Sequence, residues 1–420
     1  MDVFLNLKSE VNDLLRMEEK SWQQRAHDHW MVSGDKNTSY FHNRASQKFR
    51  RNTITAPRGQ NGEMVSGEDE IAALAMGYYK SLFSSSTLDN FEDVVQHTQR
   101  VVSEEMNSDL IAKFSKTEVE IALNQMAPLK APGPNGMPQI FFQHYWSSIR
   151  DDVVKAVLSC LNSNHISSGL NHTFIALIPK VKSPESITEF RPIALCNILY
   201  KLVSKVLANR LKRILPQIIC ESQSAFQPDK AISDNILVAF ETLHHMKTKK
   251  YGKVGHMALK LDMSKAYDRL EWIFLQKIME KMGFHSIWIG WILECIKFVT
   301  YSVLVNGEAK GHIIPTRGIC QGDPLSPYLF LLCSEGLNGL IQHAVDVGEV
   351  EGVFLCRNGP KISHFFVDDS LLFCRALIED INTIQEILRK YEKALGQKIN
   401  SEKTNLFFSA RVFPNPPKIY

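Results

Sequence analysis

ISHFFVDDSLLFC, residues 362–374, holds two apolar runs interrupted by Asp368 and Asp369. Short apolar runs parted by a polar break read as a β-hairpin with the two carboxylates at its turn. Adjacent acids beside a core either crowd like charges or bind something cationic. Magnesium suits them, because it prefers carboxylate oxygens, keeps several waters and is usually held by one or two acids plus substrate phosphates.

Upstream, HMALKLDM (256–263) reads as a strand ending near Asp262. Alone, Asp262 is as readily a solvated acid at a strand end. Beside the double-aspartate hairpin it gives three carboxylates on two neighbouring strands, which suits two Mg²⁺ ions ~3.5–4 Å apart serving a phosphoryl transfer, with Mn²⁺ as the substitute. In RGICQGDPLSPYLFLL (317–332) a glycine-bearing loop feeds a helix, with Ser326 as the expected N-cap and Pro327 in the first turn. Backbone can approach a template or nucleotide closely at Gly318 and Gly322. Lys180 and Arg191, in IPKVKSPESITEFRPIAL (178–195), flank short apolar segments. They are either ordinary surface cations or a pair on a β-hairpin gripping a triphosphate.

The remaining chain sets the limits. Its 420 residues, 44% hydrophobic and 22% charged, allow two or three globular domains, and a net charge of +3 requires any nucleic-acid footprint to be local. Eight cysteines (Cys160, Cys196, Cys220, Cys295, Cys320, Cys333, Cys356 and Cys374) lack a CxxC pair and read as reduced thiols of an intracellular protein, nuclear or cytoplasmic. The N-terminus has acids where a leader peptide would have bases. The most apolar run, Leu325 to Leu332, is far shorter than the ~20 residues of a membrane helix, so a soluble protein with no membrane partner is expected.

A helical start, a basic run at Lys48, Arg50 and Arg51, and a polar stretch from about Ser84 to Asp109 that looks like a linker make up the first part. Helical periodicity over Thr117–Met126 stops at KAPGPNGMP (130–138). IALIPK (175–180) and YSVLVNG (301–307) read as strands, and residues 194–215 as a helix. AYDRLEWIFLQKIMEKM reads as a helix ending before Gly283.

In this order the segments resemble plant LINE-type (non-LTR retrotransposon) reverse transcriptases. LKLDMSKAYDRLEW is similar to the family's first catalytic block, RGICQGDPLSPYLFLLCSEGL to its template and nucleotide block, and FFVDDSLLFCRA to its double-aspartate block. FIALIPKVKSPESITEFRPIALCNILYKLVSKVLANRL and SAFQPDKAISDNILVAFETLHHMK resemble the fingers blocks, and GQKINSEKTNLFFS the block that follows the aspartates. KAPGPNGMPQIFFQHYW and WMVSGDKNTSYFHNRASQKFRRN extend the likeness to nearly the whole chain.

The resemblance implies an α+β right-hand polymerase, with fingers, an antiparallel palm sheet with flanking helices, and no thumb. Residues 1–105 would be a mostly helical connector after an endonuclease, 106–255 pre-fingers and fingers, 256–410 palm, and 411–420 a truncated tail. Asp262, Asp368 and Asp369 would be metal ligands, and Tyr267 the bulky residue that excludes a ribose 2′-hydroxyl. Gln321 and Gly322 would line the nucleotide pocket, Lys180 and Arg191 contact the triphosphate, and Lys403 protonate the leaving pyrophosphate. The expected activity is RNA-directed DNA polymerisation on an RNA template from a DNA primer with dNTPs, other retroelement domains acting in trans.

Four departures stand out: Asn135 for a usual aspartate, Cys320 for a long residue, Val367 for alanine, and QPDK (227–230) for a PGR-bearing turn. Lys230 cannot copy a bidentate arginine contact. The rival readings are a non-catalytic remnant that binds nucleic acid through Lys48, Arg50, Arg51 and Lys247–Lys250, and a group II intron maturase.

Overall fold

The computed structural model describes residues 10–15, 17, 38–59, 62–85, 91–167, 169–227, 230–248, 254–354, 361–366 and 370–409. The chain folds as two units, each assembled from three stretches: Met1–Ser81, Phe114–Val203 and Val299–Ile314 form the first, and Leu82–Lys113, Ser204–Phe298 and Pro315–Tyr420 the second. The strands, in chain order, are β1 (His172–Pro179), β2 (Phe190–Cys196), β3 (His256–Leu261), β4 (Thr300–Val305), β5 (Glu308–Ile313), β6 (Val353–Phe354), β7 (Lys361–Ile362), β8 (His364–Phe366), β9 (Ser370–Arg375) and β10 (Asn405–Phe408). The mixture of helices and largely antiparallel sheets is α+β, as expected.

In the first unit a sheet runs β2-β1-β4-β5, antiparallel except for the β1–β4 pair. Alternate residues of β1 and β2 are buried, so one face packs and the other is left for solvent. Asn306 and Gly307, at φ 51° and 97°, join β4 to β5 in the left-handed conformation that matches strand twist. Gly133, in KAPGPNGMP, lies against the end of β2: a Cβ there would be 2.5 Å from the Cys196 carbonyl carbon. Nearby, Asn135 Oδ1 accepts from the Met137 backbone N–H at 3.2 Å, a role an aspartate oxygen would fill equally. Lys48, Arg50 and Arg51 are exposed on the helix Thr38–Asn52.

The sequence reading needs correction at two places. The region 194–196 belongs to β2, and the helix spans Ile198–Ile218. Ala194-Leu195-Cys196 continues the apolar run of both elements, so periodicity could not find the boundary. Ser84–Asp109 is not a bare linker: it contains the helix Glu92–Val95 and most of Glu104–Ile111, with Val94 fully buried and Val102 nearly so. The buried Arg210 guanidinium donates to the carbonyls of Leu110 at 2.7 Å, Ala112 at 2.5 Å and Lys113 at 3.2 Å, and so caps the end of the second helix.

In the second unit the sheet order is β10-β3-β9-β8, antiparallel throughout. Helices Ile232–Thr248, Trp272–Met282, Ser286–Lys297, Ser326–Asp346 and Ile378–Leu395 belong to this unit. Gly283, at φ 95°, closes the helix Trp272–Met282, which begins at Trp272 and leaves AYDRLE in turns. Met246, Ala258, Val353, Ile362 and Phe373 form a core cluster beneath the sheet strands. Among the described residues, no helix is long and apolar enough to cross a membrane.

Candidate functional site

Two ladders of the second unit end on the same residue. Leu261 of β3 pairs with Ser370 of β9, and Ser370 also pairs with Phe366 of β8. Asp262 directly follows the first partner, and Asp369 directly precedes Ser370. The β8–β9 hairpin expected from the sequence is therefore present. Its connecting residues Val367, Asp368 and Asp369 lie outside the described residues. Among the described residues, no three His, Cys, Asp or Glu side chains gather to hold a metal ion.

Asp262 is half-buried and fastened by the segment GQKIN, residues 396–400. The Asn400 backbone N–H donates to the Asp262 carbonyl at 2.8 Å, and the Asn400 side-chain amide donates to Asp262 Oδ2 at 3.1 Å. Ser264 N–H donates to the Lys398 carbonyl at 2.8 Å, Met263 bridges Ile399, and the Gln397 side chain donates to the Ala266 carbonyl at 2.6 Å. Lys403 is exposed in the turn that follows, its N–H donating to the Asn400 carbonyl at 3.2 Å. One short stretch thus connects Lys403, by backbone, to the carboxylate at the end of β3.

Tyr267 is held by a different segment, the loop and helix of residues 317–332. Its ring stacks on Phe330 at 5.3 Å between centroids, and burial pushes its phenol up to about 12, so it stays protonated. The Ile319 N–H donates to the Tyr267 carbonyl at 2.9 Å, and the Gly318 N–H to the Leu270 carbonyl at 2.7 Å. Gly318 has φ 91°, and a Cβ there would be 2.7 Å from the Asp268 carbonyl oxygen, so only glycine fits this approach. Gln321, half-buried, and Gly322, exposed at φ 117°, follow on the same loop.

The helix after that loop starts differently from expectation. Ser326 is its first residue and Leu325 its N-cap, which offers no side-chain acceptor; Asp323, two residues ahead of that position, receives the N–H of Leu325 at 3.0 Å and of Ser326 at 3.3 Å on Oδ2 in the turn that leads into the helix. Cys320, the departure noted ahead of it, is buried.

Lys180 and Arg191 belong to the first unit. Lys180 N–H donates to the Glu189 carbonyl at 2.9 Å and Ile178 pairs with Arg191, so both cations occupy the exposed face at one end of the β1–β2 hairpin. Lys180 Nζ donates to the Thr188 carbonyl at 3.2 Å. In the QPDK turn, Pro228 and Asp229 lie outside the described residues, while Lys230 Nζ donates to the carbonyls of Glu221 and Gln223, each at 3.3 Å.

Besides Asn400 and Gln397, sequence reasoning missed a buried ion pair. Arg317 Nη1 meets Glu271 Oε1 at 3.2 Å with both side chains almost wholly buried, Arg317 Nε donates to the Leu82 carbonyl at 2.9 Å, and Ser85 Oγ donates to Glu271 Oε2 at 2.7 Å. Trp272 Nε1 donates to the Gly318 carbonyl at 2.7 Å. The Glu-Trp pair that ends the first catalytic block thereby holds the Arg-Gly pair that opens the template and nucleotide block. The two pairs are 46 residues apart, too far for a local signal.

Comparison with known proteins agrees with this arrangement. The family described as "Reverse transcriptase (RNA-dependent DNA polymerase)" matches residues 178–414. The transposon TX1 149 kDa protein of Xenopus laevis is 24% identical over 405 residues, covering 96% of this chain and 30% of that protein. The Pol polyprotein of the type-2 retrotransposable element R2DM of Drosophila melanogaster is 25% identical over 290 residues, 68% of this chain and 26% of its own length. An uncharacterized mitochondrial protein of Arabidopsis thaliana is 47% identical over 105 residues, 25% of this chain and 86% of that protein. The chain thus spans about a third or less of the two transposon proteins. With more than half of its length matched in an unbroken stretch that contains both aspartate blocks, the chain belongs to the reverse transcriptase family.

Proposed function

We propose that the chain is the polymerase core of a LINE-type element's reverse transcriptase and adds dNTPs to a DNA primer 3′-hydroxyl opposite an RNA template. The observation that carries this reading is the shared end of the β3–β9 and β9–β8 ladders at Ser370, with Asp262 and Asp369 the adjoining residues. Its likeness to the TX1 and R2 proteins supports the LINE assignment, and its 47% identity to the Arabidopsis protein supports a plant source. In this reading 106–255 carries the fingers and 256–410 the palm, with 1–105 as connector.

Asp262, Asp368 and Asp369 would hold Mg²⁺, which when bound supplies positive charge to the phosphoryl oxygens. What supports this is the state of Asp262, which is partly open, with the neutral Asn400 amide as its described side-chain partner and no Lys or Arg paired to it among the described residues. Tyr267, a neutral ring braced by Phe330, would select against a 2′-hydroxyl by bulk. Gln321 and Gly322 would border the incoming base and sugar. Lys180 and Arg191, on one exposed hairpin face, would grip the triphosphate, and Lys403 would deliver a proton to the leaving pyrophosphate.

The test is Mg²⁺-dependent extension of a DNA primer on an RNA template by the wild-type chain and by a variant with Asp368→Ala and Asp369→Ala. Extension in the first and none in the second is expected. No extension in either overturns the polymerase reading in favour of a remnant that at most binds nucleic acid.

A further inference from the structure

Glu335 is nine-tenths buried in the middle of the helix Ser326–Asp346, and burial pushes its carboxyl up to about 7. Its described polar partners are neutral: Cys220 N–H donates to Oε1 at 3.2 Å, and Asn338 Nδ2 donates to Oε2 at 3.0 Å. An acid held this way is costly, and an apolar side chain of similar size would stabilise a core better. What it does hold is the orientation of Asn338. With Nδ2 committed to Glu335, Asn338 Oδ1 faces His364 Nε2 at 2.7 Å and can only accept. His364 therefore carries its proton on Nε2, and its Nδ1 accepts from Ser363 Oγ at 2.9 Å. Burial lowers the His364 pKa to about 4, so the ring is neutral and one tautomer satisfies both neighbours.

The hydrogen bonds thus run in a single sense from Ser363 through His364 and Asn338 to Glu335. They connect a helix to a strand that needs support. β8 is three residues long, lies at the edge of its sheet and, among the described residues, pairs with β9 alone. A short edge strand has few main-chain bonds to hold it. His364 opens β8 four residues before Asp368, and the same helix begins just after Gln321 and Gly322.

We propose that Glu335, Asn338 and His364 form a positioning network that fixes β8 to the helix following the Gln321–Gly322 loop. It thereby sets the placement of the hairpin strand that leads into Asp368 and Asp369. The functional half of this inference rests on the polymerase reading above. The structural half does not. The three residues are positioning residues, with no role in touching substrate.

Two variants and two measurements test it. Asn338→Leu removes both hydrogen bonds of the amide. Glu335→Gln keeps a complete network, because the glutamine amide can donate to a turned Asn338, whose Nδ2 then donates to the other His364 tautomer. Should Asn338→Leu not fold, Asn338→Ala replaces it, since Asn338 lines an open cleft of about 510 Å³ and its removal seals no void. Hydrogen exchange of the β8 and β9 amides is followed beside β1 and β2 as internal control. Primer extension is resolved into turnover and KM for dNTP.

The expected result for the Asn338 variant is exchange about tenfold faster in β8 and β9 alone, turnover about tenfold lower and KM nearly unchanged. Glu335→Gln should show exchange no faster than wild type, with turnover and KM near wild type. Unchanged exchange in a folded Asn338 variant overturns the network. Faster exchange with unimpaired turnover overturns its role in the reaction. A wild-type chain that extends no primer, together with faster exchange in the variant, removes the polymerase reading and upholds the network.

Discussion

Asn400 is bonded twice to Asp262, by its backbone N–H to the carbonyl at 2.8 Å and by its side-chain amide to Oδ2 at 3.1 Å. The paired contact fixes both where the strand ends and how the carboxylate is turned, and it leaves Oδ1 without a partner among the described residues. Neighbours that orient a metal-binding carboxylate are worth roughly 10–100-fold in metal affinity or activity. Asn400→Ala should therefore lower primer extension by about that factor and raise the Mg²⁺ concentration needed for half-maximal rate, with a small change in melting temperature. A Mg²⁺ titration of extension rates checks this, and an unchanged half-maximal concentration counts against an orienting role.

Tyr267 should govern sugar selection through bulk. Tyr267→Val removes the ring stacked on Phe330 while leaving the backbone bond from Ile319 in place. Incorporation of rNTP relative to dNTP should rise by about tenfold or more, since a steric block is removed without adding a new clash. Competition between the two nucleotide types on one template provides the measurement, and an unaltered ratio would assign Tyr267 a packing role alone.

The Glu271–Arg317 pair carries a stability prediction independent of activity. Glu271→Leu removes a buried counter-charge from the Arg317 guanidinium, a defect of about 3–5 kcal/mol. Urea unfolding at neutral pH should show that loss. Charge-conserving Glu271→Asp should fall between the variant and wild type, because its shorter reach weakens the contacts to Arg317 and Ser85.

Glu335 predicts how stability varies with pH. Its folded pKa, about 7, is above the ordinary 4.5, so its contribution is full below pH 4.5 and is lost as pH rises through 7. The loss amounts to about 3 kcal/mol. His364 runs the other way: lowered to about 4 from 6.5, it gives stability that is full above pH 6.5 and falls away as the pH drops toward 4. Around Glu335 stand Cys220, Asn338, Cys333 and Tyr391, with His97, His343, Glu221 and Asp346 lining the adjoining cleft. Glu335→Gln should match wild type near pH 4.5 and exceed it increasingly up to pH 8. Chemical unfolding across that range decides the matter, and parallel curves would refute it.

Sequence patterns located the elements whose signals are local. β1 alternates, the Asn306-Gly307 pair marks a hairpin, Gly283 ends a helix, and the β8–β9 hairpin follows from two apolar runs around two acids. Asp262 at the end of β3 was legible for the same reason. The errors arose where burial is decided by distant chain. Val94, Val102 and Leu110 fall in short apolar pairs among polar residues, and only the surrounding second unit makes them core. Ser326 reads as an N-cap from its residue type, and only the helix start, with Leu325 in that position, shows otherwise. Asn400, Gln397 and the Glu271–Arg317 pair act across 46 to 138 residues of sequence, where periodicity carries no information.

The capping of residues 110–113 by Arg210 bears on how the protein can be cut into pieces for study. A fragment beginning at Phe114 would retain the guanidinium but discard the three carbonyls of Leu110, Ala112 and Lys113 that accept from it inside the second unit. Such a fragment should aggregate on expression even though every aspartate block is included. A boundary placed before Leu82, where the second unit begins, keeps these acceptors together with the Leu82 carbonyl that receives Arg317, and so reaches back beyond the first residue of the family match, Ile178, by nearly a hundred residues.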